Sequence, residues 1–209
     1  MNDADAVNQV CTYLKKKITT KALFPGNRIV EETLAKETGT SRTTIRAALQ
    51  KLKYEGFVDI QKNRGTSVVQ PTLEDIHSVY AVRRALEVIA LEIAIPQFSE
   101  EAIQKMSDCL EAQKNLKTRF SIAEYALLNR DFHWVIVEQA RNAYLEKYLN
   151  ELYNQVYIII QFYDSSVDNT GSLRTHAAIL DAIQRRDVAA GIQGIIQDNI
   201  LSLNDMHAL

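Results

Sequence analysis

Residues 38–58 read TGTSRTTIRAALQKLKYEGFV, and the reading of this stretch decides the architecture. Gly39-Thr40-Ser41 forms a tight turn, and Ser41 is a good helix N-cap. From Arg42 to Tyr54 the residues favour helix, with Ile45, Ala48, Leu49 and Leu52 on one buried stripe. Arg42 and Arg46 stand four apart at the start of that helix. One reading makes them an ordinary solvated helix face. The other makes them the reading head of a DNA-binding module, and the neighbouring sequence chooses between the two.

Upstream, Val7, Val10, Tyr13, Leu14 and Ile18 space a first helix, Phe24-Pro25-Gly26-Asn27 is a turn, and Glu31 to Glu37 makes a short helix. Downstream, FVDIQKNRGTSVV reads as two strands joined around Asn63-Arg64-Gly65. Helix, helix, turn, helix and β-hairpin is the order of a winged helix-turn-helix. In that fold the recognition helix enters the major groove N-terminus first, which places Arg42, Thr43 and Arg46 near base edges and phosphates. Arginine suits base reading because its planar fork grips guanine at two points. Thr43 and Thr44 can donate to phosphate or touch a thymine methyl, and Arg64 with Gly65 sits at the hairpin tip. Arg28 and the Lys15–Lys17 cluster are further phosphate candidates.

The stretch from Leu23 to Val69 closely resembles the DNA-binding domain of GntR-type bacterial transcription regulators. The matching elements are Pro25-Gly26, Leu34-Ala35, Gly39 to Arg42, Ile45 to Leu49 and Asn63 to Gly65. The resemblance implies DNA contacts from Arg28, Arg42, Arg46 and the wing around Arg64-Gly65. Two positions depart from the pattern: Lys21 stands where glycine is usual, and Thr44 where proline is common. Neither removes a DNA-contacting arginine.

Composition agrees with this organisation. A chain of 209 residues with 46% apolar content is long enough for two small domains, and 7 Gly with 3 Pro favour a mainly helical fold. Residues 1–70 carry 12 Lys and Arg against 7 Asp and Glu, a net of +5. Residues 71–209 carry 12 against 19, a net of −7. A basic front half suits a polyanion. The opening MNDADAVNQV does not read as a secretory signal, and no apolar run approaches the roughly 20 residues a membrane span needs. Cys11 and Cys109 lie far apart without metal or redox spacing and read as reduced structural thiols, so a cytoplasmic location is expected.

The seam is Gln70-Pro71-Thr72, where Pro71 bars its predecessor from helix and Thr72, ahead of Glu74-Asp75, starts one. This gives a DNA-binding domain over 1–70 and an all-helical domain over 71–209 for effector binding and dimerisation. Helices are expected near 73–95, 99–114, 120–140, 142–163, 172–184 and 187–206. In the first of these, Val79, Val82, Leu86, Ile89 and Ile93 have core spacing, with Arg83 on or beside that face and Arg84 pointing away. A half-buried guanidinium needs an anionic partner: Glu87 within the helix, or a carboxylate ligand. Tyr125, Asn129, Phe132, His133 and Ile136 share a stripe, and Asn129 and His133 have the four-residue spacing that brings two ligands together. His176 lies on an apolar face with Ile179, Leu180 and Ile183. A lone histidine there is usually a core residue; two on different helices, one with an Asn four residues before it, favour a shared site. His77 and His207 lack such context.

VRRALE, NRDFHWVIVEQARNAYL and HAAILDAIQRRD resemble the effector-binding domain of the FadR-type branch of the same family, the FCD domain. Many members hold a divalent metal through an Asp or Asn and three histidines, and bind a small carboxylate beside it. The resemblance implies Asn129, His133 and His176 as ligands, Arg83 as the pocket arginine, and a zinc- or nickel-like ion. The fourth ligand departs from the pattern. Counting from Asp187 reaches Asp198, whereas the helical phase set by Ile192, Ile195, Ile196 and Leu203 puts Asn199 on the buried face. Two histidines with Asp198 make a good site; two histidines with two amides make a poor one for zinc.

The expected function is a ligand-responsive transcription regulator, not an enzyme. It would bind a near-palindromic double-stranded operator as a homodimer under control of a small carboxylate. One alternative is a metalloenzyme built on His133, His176 and Asp198, resembling the two-histidine, one-carboxylate iron sites of oxygenases. Another is a DNA-binding protein without a ligand.

Overall fold

A computed structural model describes residues 3–116, 120–165 and 168–206, which fall into two compact units, Met1–Thr72 and Leu73–Leu209. His207 lies outside the described residues.

The first unit runs α1 (Asp3–Thr19), β1 (Arg28–Ile29), α2 (Glu31–Thr38), α3 (Arg42–Tyr54), β2 (Val58–Gln61) and β3 (Gly65–Val68). Ser41 caps α3, its hydroxyl accepting the Thr44 N–H at 3.1 Å. Gly39 ends α2 in the left-handed region (φ 65°), a conformation that carries almost no penalty for glycine. Lys21, at the position where the family pattern has glycine, also adopts positive φ (57°). Val10, Leu14 and Ile18 of α1 join Ile45, Ala48, Leu49 and Leu52 of α3 in the core of this unit. Burying each larger aliphatic contributes about 1.5–3 kcal/mol. The hairpin expected around Asn63-Arg64-Gly65 is present, with Asn63 (φ 73°) and Gly65 (φ 81°) turning the chain. A third strand was not anticipated: Arg28↔Ser67 and Ile29↔Thr66 pair β1 antiparallel to β3, giving the order β1-β3-β2. Two residues are too few to show alternation, so β1 leaves no periodic signal in sequence.

Among its described residues, the second unit is helical apart from loops and an isolated bridge between Asp164 and Met206. It comprises α4 (Leu73–Ala94), a 3-10 turn (Ile95–Gln97), α5 (Glu100–Asn115), α6 (Ile122–Ala140), α7 (Ala143–Tyr163), α8 (Thr170–Gln184) and α9 (Val188–Asn204). Side-chain caps set most starts: Ser99, Ser121, Asn142 and Asp187 each accept a backbone N–H from the first turn that follows. Gly194 lets α9 approach α8, since a Cβ there would lie 2.6 Å from Ile179 Cγ1. Leu91, Ala94, Phe132, Val137, Leu149, Ile179, Ile183 and Ile195 belong to one buried cluster.

The buried face of α4 differs from the expected stripe. Ile76, Tyr80, Arg83, Glu87, Ala90, Leu91 and Ala94 point inward, while Val82, Ile89 and Ile93 are exposed. The helix is apolar on more than one side, and its two most buried charges neutralise each other, so apolar spacing alone selected the wrong face. Arg83 is therefore fully buried rather than half-buried at a margin.

Candidate functional site

Two polar constellations stand out, one on the surface of the first unit and one inside the second. On the first unit, Arg42, Thr43 and Arg46 are exposed along the N-terminal half of α3, and Thr44 is half-buried. Arg46 Nε donates to Glu31 Oε2 at 2.9 Å, and Arg42 lies 3.6 Å from Glu32, so the acids opening α2 hold both arginines outward. The Thr44 hydroxyl is spent on Ser41 at 2.9 Å, which ties it to the cap. Arg28 on β1 and Arg64 and Gly65 at the tip of the hairpin are exposed. The Arg28 guanidinium runs beside Gly65, where a Cβ would meet its Nη2 at 3.5 Å.

The second constellation is a cage of side chains from α4, α5, α6, α7, α8 and α9. His133, His176 and Asp198 each place one donor atom within 4.8 Å of the others, and all are buried. His133 Nε2 lies 3.2 Å from Asp198 Oδ2, and His176 Nε2 lies 3.4 Å from Asp198 Oδ1. Arg83 donates from Nε to Glu87 Oε1 at 2.9 Å. Its Nη2 lies 3.2 Å from His133 Nε2 and 3.5 Å from Asp198 Oδ2. Glu87 Oε1 also accepts the Tyr153 hydroxyl at 2.5 Å, and Asp198 Oδ1 accepts the Thr175 hydroxyl at 2.7 Å. The Arg83 guanidinium is near the rings of Tyr80 and Tyr153, at 5.5 and 5.7 Å.

The ring orientations follow from the partners. Gln113 Nε2 donates to the Leu128 carbonyl at 3.1 Å, which leaves its Oε1 facing His176 Nδ1 at 2.8 Å. Oε1 can only accept, so His176 carries a proton on Nδ1, while its Nε2 faces Asp198 Oδ1. His133 turns its Nε2 towards both Arg83 and Asp198. Its Nδ1 lies 3.4 Å from Glu87 Oε1, without a well-aligned hydrogen bond. Burial pushes the His176 ring below its ordinary pKa, against the pull of Asp198. Burial opposes ionisation of Asp198, but His176 and His133 outweigh it and hold that carboxyl well below the usual carboxylate range.

Several atoms here are buried without a hydrogen bond: Tyr80 Oη, Arg83 Nη1, Glu87 Oε2, Asn129 Oδ1, Asp198 Oδ2 and Asn199 Oδ1. Buried polar groups are normally satisfied, so this concentration fits a cage shaped around a polar guest. Donor atoms 3.2 and 3.4 Å apart match the edges of a coordination shell with bonds of about 2.0–2.2 Å. Two imidazoles, one carboxylate and the free Asn129 oxygen therefore suit a divalent ion of the zinc or nickel type. Asp198 also borders a narrow cleft lined by Tyr125, Ser172, Ser202 and Asp205.

The structure brings Arg83, His133, His176 and Asp198 into contact and buries Asn129 one turn before His133. Asp198 and Asn199 are both inward, with different tasks: Asp198 faces the histidines, while Asn199 donates to the Tyr80 carbonyl at 3.1 Å. Helical phase alone did not expect Asp198 inside, because a carboxylate enters the stripe only when cations and hydrogen-bond donors such as Arg83 and Thr175 await it. Gln113, Tyr80, Tyr153 and Thr175 were missed. Gln113 had a signal, since it continues the buried spacing of Met106 and Leu110 as a polar residue.

Comparison with known proteins identifies both units. Residues 6–68 match the family model of bacterial regulatory proteins, gntR family, and residues 78–195, more than half of the chain, match the FCD domain. The HTH-type transcriptional regulator YdhC of Bacillus subtilis (strain 168) is 28% identical over 90% of this chain and 85% of its own length. The gluconate operon transcriptional repressor of the same organism is 25% identical over 91% of this chain and 80% of its own. Among solved structures, E. coli McbR/YncC superposes with a TM-score of 0.79 at 20% identity, covering 95% of this chain and 97% of that one, which speaks for the fold. These domains are those of regulators rather than enzymes, and no described helix is long and apolar enough to cross a membrane. With a winged helix-turn-helix ahead of an FCD domain, the chain belongs to the GntR family of bacterial transcription regulators.

Proposed function

We propose that this regulator binds a near-palindromic operator as a homodimer and releases or engages it when a small carboxylate occupies the cage in the helical unit. The observation that carries the ligand-responsive reading is that cage, where seven side chains, Arg83, His133 and Asp198 among them, leave a buried polar atom without a hydrogen bond. A site kept for stability alone gains nothing from unsatisfied groups, each costing about 1–3 kcal/mol. Arg83 is the residue that takes the carboxylate, through the planar fork that favours such anions. His133, His176 and Asp198, with the Asn129 oxygen, are the residues that hold a divalent ion. That ion would supply a Lewis-acidic anchor for the ligand's oxygens.

On the DNA side, Arg42 and Arg46 read base edges while Thr43, Arg28, Arg64 and Gly65 follow the backbone or the adjacent minor groove. The exposure of all these residues supports that assignment. Thr44, half-buried and hydrogen-bonded to Ser41, secures the helix start beside the phosphate contacts. The exposed stripe of Val82, Ile89 and Ile93 on α4 supports self-association, because apolar residues grouped on one helix face favour burial against a partner. Effector control requires only that the ligand bind one DNA-competent arrangement better than the other.

The test is to sequence the genomic DNA that the protein captures, then to titrate small carboxylates against the protein–operator complex with nickel or zinc present. Gluconate is a first probe, since one relative regulates a gluconate operon. Carboxylates named by the captured genes should shift the melting temperature and the operator affinity together. If none of them moves either quantity, the protein is a DNA-binding protein without a ligand.

A further inference from the structure

The position of the Arg83 guanidinium carries a consequence for how the cage fills. Its Nη2 lies 3.2 Å from His133 Nε2 and 3.5 Å from Asp198 Oδ2. Those are two of the donor atoms a divalent ion would take. Arg83 is fully buried and surrounded by Glu87, Tyr153, Asp198 and Tyr80. A guanidinium does not give up its proton inside a protein, so Arg83 remains a cation there. Without a metal, Arg83 thus supplies the positive charge that Asp198 needs.

We propose that Arg83 is a resident cation that competes with a divalent metal for His133 and Asp198, so that metal and a carboxylate enter this cage together rather than singly. The proposal rests on the reading of the cage as a metal and carboxylate site.

Charge accounting points the same way. Arg83, Glu87 and Asp198 carry a formal sum of −1. A divalent ion alone turns that into +1 beside a guanidinium, in a place where unpaired charge is costly. A single carboxylate returns the sum to zero and gives Arg83 a new anionic partner in place of Asp198. Arg83 Nη1, buried and without a hydrogen bond, is already free to receive it. Each guest therefore removes an obstacle to the other. Arg83 stays anchored through Nε to Glu87, which Tyr153 holds in turn, so the exchange needs only its outer nitrogens to move.

The experiment is calorimetric titration of the full chain with Ni²⁺, referred to free ion, in the absence and presence of gluconate or acetate. The coupling expected in the wild-type protein is a gain in nickel affinity of about 5–150-fold with carboxylate present. In Arg83→Met, nickel should bind more tightly without carboxylate, and the carboxylate dependence should vanish. Since that change strands Glu87, the double variant Arg83→Met/Glu87→Gln repeats the measurement in a charge-matched cage, with folding checked by circular dichroism. Nickel affinity that ignores carboxylate in the wild type, or that stays level or falls in the folded double variant, overturns the competition while leaving the metal site standing. Failure of every protein to bind nickel, with or without carboxylate, overturns the competition and the site reading together.

Discussion

Gln113 accepts the Nδ1 proton of His176 across 2.8 Å, deep in the helical unit and entirely shielded from solvent. This bond fixes which nitrogen of His176 faces Asp198, and Gln113 is itself fixed by its amide donating to the Leu128 carbonyl. Partners of this kind typically change metal affinity by about 10–100-fold when removed. Gln113→Leu should weaken nickel or zinc binding by that factor, whereas Gln113→Glu, which keeps the acceptor, should retain most of it. Equal affinity for wild type and Gln113→Leu in a competition titration would show that His176 does not ligate through Nε2.

On the DNA-binding unit, the bond from Arg46 to Glu31 leaves both terminal nitrogens of the guanidinium outward. If those nitrogens read a base, Arg46→Ala should cost roughly 1–3 kcal/mol and relax specificity at one operator position. Arg64→Ala should instead weaken all sequences alike and reduce the salt slope by about one. Gel-shift titration of operator and scrambled duplexes at several salt concentrations separates the two. The same loss on both duplexes for Arg46→Ala would make it a phosphate contact.

The exposed stripe on α4 gives a prediction about assembly. Ile89 is 44% exposed and stands between Val82 and Ile93 on the same side of the helix. Ile89→Glu would place a charge in the middle of the proposed subunit contact, and sedimentation should find that variant monomeric at concentrations where the wild type is dimeric. Tm should change little if the residue is solvent-facing in the monomer. A dimer that survives the change would place the contact elsewhere.

This stripe also shows what was legible in sequence and what was not. The starts of α3, α5, α6, α7 and α9 follow from Ser41, Ser99, Ser121, Asn142 and Asp187, because a cap is a local signal. The paired arginines, the wing turn and the Asn129–His133 spacing were readable for the same reason. The inward face of α4 was not. Its core side carries Arg83 and Glu87, and only contact with His133 on α6 and Asp198 on α9 makes their burial tolerable. Gln113 is a similar case, since its reason for being inside lies with Leu128 and His176.

Packing between α8 and α9 makes a sharper mechanical prediction. A Cβ on Gly194 would lie 2.6 Å from Ile179 Cγ1 and 3.5 Å from the Ile179 backbone, and Ile179 is fully buried. Helix propensity alone would favour alanine by about 1 kcal/mol. Gly194→Val adds more volume than Ile179 can yield, and overpacking of this sort costs about 1–3 kcal/mol. Chemical denaturation should show that loss, and because Asp198 follows one turn later on α9, nickel binding should weaken with it. A variant as stable as the wild type would mean that α8 and α9 separate freely at this point.

Alkaline pH should unfold the helical unit through its tyrosines. Burial is the first cause that raises the Tyr80, Tyr125 and Tyr153 hydroxyls above the ordinary value of 10.0, and for Tyr153 the Glu87 carboxylate adds to it. A group whose folded pKa is raised contributes its full stability below the unfolded pKa and loses it as pH climbs. The window therefore opens at about pH 10 and extends upward. Each such tyrosine costs about 1.4 kcal/mol per pH unit, so three together remove about 4 kcal/mol per unit, against a typical domain stability of about 5–15 kcal/mol. Helical circular dichroism should collapse cooperatively within two or three units of that threshold, with tyrosinate absorbance rising in the same step. Tyr80 has no hydrogen-bond partner for its hydroxyl, so Tyr80→Phe should keep the fold and reduce the slope by roughly a third. Tyrosinate appearing gradually, ahead of any loss of helix, would mean that water reaches these hydroxyls in the folded protein.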